Sequence, residues 1–570
     1  MPVESTIQSA LLNLEQGRLA VWIWRLVIVA FALLVAALWL LGKFNGFASP
    51  DAMDQAQIAR QLADGQGFTT LYARPLALHL MLARTGSIDH PLPEISQAPL
   101  GPMINAALLH TAGSTLAPDT MVFAPEYTIA AGGLLFFAGS LLLAYRLGRR
   151  LFDLPLALLG TGLLAVMDLQ WRFAFSGLPQ MAMLFLFLGA LLALLRALEA
   201  QDAGHRSRIL LPVSLASLLL GLLTLGHGLG AWLFGGFWLF AVIVLRPRWL
   251  VALLTPVLFI LPLLPWAWHN WRAVRQPLGL PFFELQRPAG TDRLAFLADF
   301  EPLTPLGWDG LWPNTVAHFA DHLAGLTSFF GGNFVAGAFF LAVLFHVFRR
   351  WPAAQFRWAV LLMWLGAAAG MTLFGVDGPV SANQLHFLFL PVMTFYGLAF
   401  LLELWQRLGF EHLVLRRAFL TLLYAALAAP LLVTLLSRPP LVNWPPYLPP
   451  LIERFGEWVE PGEALAADIP WATAWYAQRS SLLLPADVAQ FEIIHGERLL
   501  DAPLVGLYLT PFSGSLPAYA GIISGRYQGW SRFILREVTV EDLRGWILTS
   551  AINLPVDGQA IFFADRPRWR

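Results

Sequence analysis

Cysteine is absent from the 570 residues, and charge is scarce: 36 basic residues balance 36 acidic ones, together 13% of the chain. Without cysteine there is no disulfide, no thiolate metal site and no cysteine nucleophile. A net charge of zero leaves no basic footprint for nucleic acid. A soluble domain carries about twice this share of charged residues. No internal repeat, disordered tail or cleavable leader is evident. Residues 1–20 are polar and amphipathic, and the apolar run that follows is long enough to span a bilayer.

What the chain holds in excess is apolar surface: 57% of residues are hydrophobic and the mean hydropathy is +0.63. Runs of about 17–25 apolar residues, the length of a membrane helix, recur near 21–42, 124–146, 154–170, 178–197, 209–226, 229–245, 250–268, 327–348, 358–375, 384–404 and 417–437. The pattern predicts an α-helical polytopic membrane protein of about eleven spans. Every second connector is basic: Arg146, Arg149 and Arg150; then Arg196, His205, Arg206 and Arg208; then Arg246 and Arg248; Arg349, Arg350 and Arg357; Arg407, Arg416 and Arg417. The positive-inside rule puts these in the cytoplasm, with the N-terminus inside and the C-terminus outside. Were Pro99–Ala112 a full span, the later basic loops would all face outward. It is therefore expected as a re-entrant or membrane-surface helix.

Three segments are then external: 43–123, 269–326 and everything from about Pro439. The expected organisation is a cytoplasmic amphipathic segment 1–20, a membrane domain 21–438 and an external domain 439–570. The stiff stretch Arg438–Pro450, dense in proline, marks the last boundary. Beyond it, strands expected at 464–468, 481–484, 504–510 and 560–564 alternate with helices at 451–458, 471–477 and 486–494. That alternation predicts a small α/β domain with a mostly parallel sheet. Asp468 falls at a strand's C-terminal end, where such sheets bind ligands and where a helix cap is the commoner use.

The chemistry-bearing residues cluster after the first span. Ser49-Pro-Asp51-Ala-Met-Asp54 precedes a short helix too polar to cross a bilayer but able to lie on one, with Ala56, Ile58, Ala59, Leu62 and Ala63 opposite Gln55, Gln57, Arg60, Gln61 and Asp64. A carboxylate at a membrane boundary can serve as a general base or a metal ligand. It can equally be a solvated charge capping the helix, a role that suits Ser49 and Asp51.

Asp51-Ala-Met-Asp-Gln-Ala-Gln-Ile-Ala-Arg60, followed by Gly65-Gln-Gly-Phe-Thr69, resembles the first external loop of the protein O-mannosyltransferase and aminoarabinose-transferase superfamily, polytopic glycosyltransferases of the GT-C class. The resemblance covers most of residues 20–437, with its sharp motif confined to 50–70. It implies a catalytic base at Asp51, with Asp54 nearby, while Ala52 replaces the acid that follows in the family. Gln97-Ala-Pro-Leu100 stands for the family's Lys-Pro-Pro-Leu, so the lysine that can meet a carrier phosphate is missing. Ser96 replaces an acid linked in some members to a divalent metal. No metal is therefore assigned; Asp89, His90 and Glu94 are the nearest substitutes. The family's Asp before the fourth span is also missing: only Gln180 lies near that place.

Arg172 and His386, at external span ends, are candidates to hold the phosphate of a lipid whose tail stays in the bilayer. Both could instead be boundary anchors. His269 and Arg272 join Trp268 and Trp271 in an amphipathic cluster that could touch substrate or simply mark the interface. Without a Gly-rich phosphate loop, a nucleotide-sugar donor is not supported. The resemblance instead implies a polyprenyl-phosphate-linked sugar donor and a glycan, lipid or protein acceptor, at the outer face of a bacterial inner membrane. The alternative is a transporter or lipid-handling protein without transfer activity. That reading is disfavoured by spans almost free of midplane charge.

Overall fold

The computed structural model describes residues 18–112, 123–301, 307–408, 413–438, 443–445, 447–515, 518–554 and 560–569. Most of the expected segment 1–20 and residues 439–442 and 446 of the linker lie outside them. Among the described residues, eight helices are long and apolar enough to cross a membrane, ten if each of two bent pairs is one span. The first of these is α1, Arg18–Gly42. The expected span 229–245 forms as Gly230–Val244, whose 15 residues rise about 22 Å, short of a hydrocarbon core about 30 Å thick. Helix Leu100–Ala112 has 13 residues among the described ones.

Both bends have local causes. Between Leu154–Ala165 and Asp168–Phe175 the chain turns by 58°, and the Trp171 indole donates 2.8 Å to the Ala165 carbonyl at the break, satisfying a group that the helix no longer uses. Between Leu311–Phe329 and Phe334–Phe345 it turns by 112°. Gly331 and Gly332 take positive φ of 61° and 70°, which only glycine adopts without strain. Asn333 then caps the new helix by accepting from the Ala336 amide at 3.0 Å. The expected span 327–348 is thus only the second arm of a sharp elbow.

At one end of the bundle lies a six-stranded sheet of order β1-β3-β2-β4-β6-β5. Its strands are β1 Tyr72–Ala73, β2 Ala464–Ala467, β3 Ser480–Leu483, β4 Leu504–Leu509, β5 Ser550–Asn553 and β6 Ile561–Ala564. The first four in that order are parallel, the last two antiparallel to their neighbours. β1 comes from the first loop, with Tyr72 opposite Ser481 and Ala73 opposite Leu482. The C-terminal sheet is therefore completed by a strand some four hundred residues upstream.

Other bonds tie the same parts together. Buried Glu126 accepts from the Phe47 amide (3.2 Å), the Trp475 indole (3.0 Å) and the Tyr476 hydroxyl (2.8 Å). From the second loop, the Ala298 carbonyl accepts from Ala486 N and the Phe300 amide donates to Gln490. The three segments expected on one side of the membrane thus pack against one another.

Candidate active site

The helix Pro50–Ala63, here α2, starts with Ser49 as N-cap and Pro50 in its first turn. The Ser49 side chain makes no capping bond, and Asp51 sits within the first turn, where the helix dipole favours a negative charge. The expectation that α2 lies on the membrane surface is overturned: residues Ala52 to Arg60 are all buried. On its polar face Arg60 meets the C-terminal domain, while Gln55 and Gln57 bond to Gln97, Thr70 and the Leu71 amide of the same first loop. The Arg60 guanidinium donates 2.8 Å to the Trp475 carbonyl and lies 4.1 Å over that residue's ring, a desolvated contact of about 2 kcal/mol.

Asp51 and Asp54, one turn apart, are held differently. Asp54 Oδ2 pairs with Arg74 at 2.5 Å and accepts from the Gln97 amide at 2.9 Å, while Oδ1 accepts from Gln57 at 3.0 Å. Glu94 lies 3.6 Å from the same guanidinium. Against the burial that would discharge it, Asp54 and Glu94 hold Arg74 firmly charged. Asp54, fully engaged, is an anchor rather than a free base. Asp51 receives only the Gln97 amide, at 3.2 Å on Oδ1. Burial pushes its carboxyl up to about 6, with Arg293 pulling the other way. It is ionised at neutral pH and basic enough to take a proton.

Asp51 and Asp54 open on a cavity of about 710 Å³ whose walls come from distant parts of the chain. Lys43 and Trp39 line it from the end of α1, Arg172 and Phe175 from the bent span, Arg293 from the second loop, and Trp471 and Phe512 from the C-terminal domain. Arg293 grips Glu284 through two bonds of 2.9 and 3.2 Å and reaches Asp377 at 3.1 Å. Glu284, and then Asp377, raise its pKa above the arginine norm against the opposing effect of burial. Among the described residues the Arg172 side chain makes no hydrogen bond or ion pair, and Asp168, one turn earlier, is the acid its charge acts on. The cavity thus combines one lightly held carboxylate with four cations, Lys43, Arg74, Arg172 and Arg293.

Of the residues singled out in the sequence, Asp51, Asp54 and Arg172 share this cavity; His386, His269 and Arg272 do not line it. His386 is fully buried, its Nδ1 accepting from the Trp364 indole at 2.9 Å and its Nε2 lying 2.6 Å from His322 Nε2. Phe329 and Phe330 pack on its ring, so no phosphate can reach it. His269 Nε2 sits 2.8 Å from the Glu94 carbonyl and braces that loop, and Arg272 lies exposed on the far part of its helix. Gln180 is buried, donating to the carbonyls of Ser381 and Ala382. Asp468 Oδ2 accepts from both the amides and the hydroxyls of Thr510 and Ser513, locking the end of β2 to the turn after β4. Arg74, Arg293 and Lys43 escaped the sequence reading of the site, since nothing local marks an arginine whose partners are remote in the chain.

Among the described residues no group of three or more His, Asp or Glu side chains could hold a metal ion. Glu94 Oε1 already accepts from the Ser96 and Gln97 amides. The acids present therefore do not fit a metal centre as arranged.

No protein-family model matches the sequence, and no curated protein does. Solved structures do resemble it. The oligosaccharyltransferase of Archaeoglobus fulgidus in complex with zinc and sulfate superimposes with a TM-score of 0.54 at 15% identity, over 87% of this chain and 69% of that one. The same enzyme tethered with an acceptor peptide gives 0.55 at 14% identity, over 88% and 71%. ArnT from Cupriavidus metallidurans bound to undecaprenyl phosphate gives 0.49 at 14% identity, over 95% and 98%. The chain has the GT-C fold: an integral membrane helical bundle bearing a C-terminal soluble domain with a small sheet.

Proposed function

We propose that this protein is a membrane glycosyltransferase that moves a sugar from a polyprenyl-phosphate carrier to an acceptor hydroxyl, with Asp51 as general base. The observation that carries the reading is the cavity itself, lined both by Asp51, a carboxylate with a pKa of about 6, and by Arg172, whose guanidinium makes no hydrogen bond or ion pair among the described residues. The acceptor oxygen attacks the anomeric carbon, its proton passes to Asp51, and the bond from that carbon to the phosphate oxygen breaks. The carrier phosphate leaves with the electron pair, and its growing negative charge is met by Arg172, assisted by Lys43. Fixed cations in a water-poor site stabilise such charge strongly. A single displacement inverts the anomeric centre. Arg293 is held by its two acids and tunes Asp51 from across the cavity. The acceptor peptide tethered in the archaeal oligosaccharyltransferase structure is an acceptor of the kind such a site would take. On this reading the Asp51 end is external and the N-terminus cytoplasmic.

Purified protein in lipid nanodiscs, given synthetic polyprenyl-phosphate sugars and a pool of hydroxyl acceptors, should release free polyprenyl phosphate and a glycosylated product. A second reading, lipid handling without transfer, draws on the break in the bent span that leads into the cavity, since broken helices line transport sites. Movement of carrier between leaflets with no release of free carrier from any donor would favour that reading and defeat the enzymatic one.

A further inference from the structure

A second hollow lies on the opposite half of the bundle. It is a lateral groove of about 1180 Å³ between α1 and the helices Ala124–Leu151, Gln180–Asp202 and Leu210–Thr224. Its walls are almost wholly apolar and close at Ala36, Phe137 and Trp171, while its other end is ringed by Arg25, Arg146, Arg149 and Arg196. Arg25 donates to the Tyr145 hydroxyl, and neighbouring Arg150 pairs with Glu199. Among the described residues Arg146, Arg149 and Arg196 have no acidic partner. Measured along α1, Arg25 to Ala36 is eleven residues, about 16 Å, close to one leaflet of a hydrocarbon core about 30 Å thick.

We infer that this groove is a binding site for an anionic glycerophospholipid of the leaflet at the arginine-rich end, its phosphate held by Arg146, Arg149 and Arg196 and its acyl chains reaching Trp171. Three unpaired guanidinium groups at the mouth of an apolar slot one leaflet deep match such a lipid in charge and in length. A zwitterionic lipid would bring its own ammonium group against the arginines. A polyprenyl phosphate would have to enter phosphate-first at the end remote from Asp51, leaving its sugar far from the carboxylate. The site has a structural consequence. α1 forms one wall, and it is buried over only 11% of its apolar stretch, against 72% for Gln180–Asp202. The same helix carries Trp39, with Lys43 just past its end, to the polar cavity, so acyl chains filling the groove steady that wall. The inference stands independently of catalysis at Asp51.

The test is lipid retention. Full-length protein purified in mild detergent is exchanged into vesicles of equal phosphatidylglycerol and phosphatidylethanolamine with a trace of polyprenyl phosphate, then re-extracted, and its bound lipids are measured by native mass spectrometry. Phosphatidylglycerol should be retained preferentially. R146Q/R149Q/R196Q should weaken retention roughly a hundredfold, about fivefold per arginine removed. Ala138→Trp, which fills the groove and leaves the arginines in place, should also abolish it, and it preserves the test if the triple variant fails to insert. Arg416→Gln, on another helix, should change nothing. Equal retention of the two phospholipids, unchanged retention in both groove variants, or polyprenyl phosphate displacing phosphatidylglycerol from the groove would each overturn the assignment.

Discussion

The polar cavity and the apolar groove lie on either side of Trp171 and Arg172, consecutive residues that face different hollows. In the cavity most charges are already answered: Arg74 by Asp54 and Glu94, Arg293 by Glu284 and Asp377. In the groove the arginines at the mouth are largely unanswered. A buried charge without a partner is costly, so buried Arg74 is held by two acids, whereas Arg172, Arg146, Arg149 and Arg196 are exposed and make no ion pair among the described residues. Arg172 and Lys43 are the exceptions on the cavity side, Lys43 meeting only the Ser437 carbonyl. On the readings proposed above, Arg172 meets the phosphate of the cavity's ligand, and Arg146, Arg149 and Arg196 that of the groove's.

The sharpest way to separate the two hollows is Asp51→Asn. Transfer should fall by about 10²–10⁴-fold, the range of a lost general base, while lipid held in the groove and the melting temperature stay as they were. Undiminished turnover by the purified variant would remove Asp51 from the mechanism. Asp54→Asn should do the reverse, because it leaves Arg74 without its closest partner. A loss of about 3–5 kcal/mol in stability is expected, read as a lowered unfolding temperature, and a variant as stable as the parent would refute the anchor role.

Next in size is Arg172→Lys, which keeps a charge but loses the fork able to grip two phosphate oxygens. Binding of polyprenyl phosphate should weaken about tenfold, and Arg172→Gln should be worse; parent-like affinity in both would make Arg172 a boundary anchor. A smaller effect concerns pH. Asp51 acts as a carboxylate, so kcat/KM should fall as pH drops through about 6. Arg293 lowers that value, so Arg293→Gln should move the acid limb to higher pH; an unmoved limb would break the link between the two residues.

Finally, single cysteines can be placed on a chain that has none. An impermeant reagent applied to intact cells should label exposed Ser524→Cys and spare exposed Ser207→Cys, and the opposite pattern would invert the orientation.

Much of the bundle was legible because a membrane span announces itself in twenty consecutive residues. Four strands of the sheet were legible for a similar reason, each being a short apolar run bounded by turns. β1 was not, since two residues carry no periodicity and its pairing with Ser481 and Leu482 is settled by tertiary packing. α2 was read as a surface helix because its amphipathic pattern shows where polar groups lie but not what covers them; here Trp475 covers Arg60, and Gln97 and Thr70 meet Gln55 and Gln57. Within the candidate site, Asp51 was visible through its motif and Arg172 through its place at a span end. His386 misled for the same reason, as a histidine at a span end looks alike whether it faces a cavity or is enclosed by Trp364, Phe329 and His322.

The strand β1 also sets an order of events during synthesis. Tyr72 pairs with Ser481, and a ribosome adding roughly 5–20 residues per second needs about 20–80 s to travel between them. Through that interval the loop carrying Asp51 and Asp54 lacks the strand partner and the Trp471 and Phe512 wall that enclose the cavity. A chain interrupted before its last hundred residues would hold its membrane helices and its carboxylates, yet never close the cavity around them. Enclosure of the pocket thus waits for the C-terminal part of the chain.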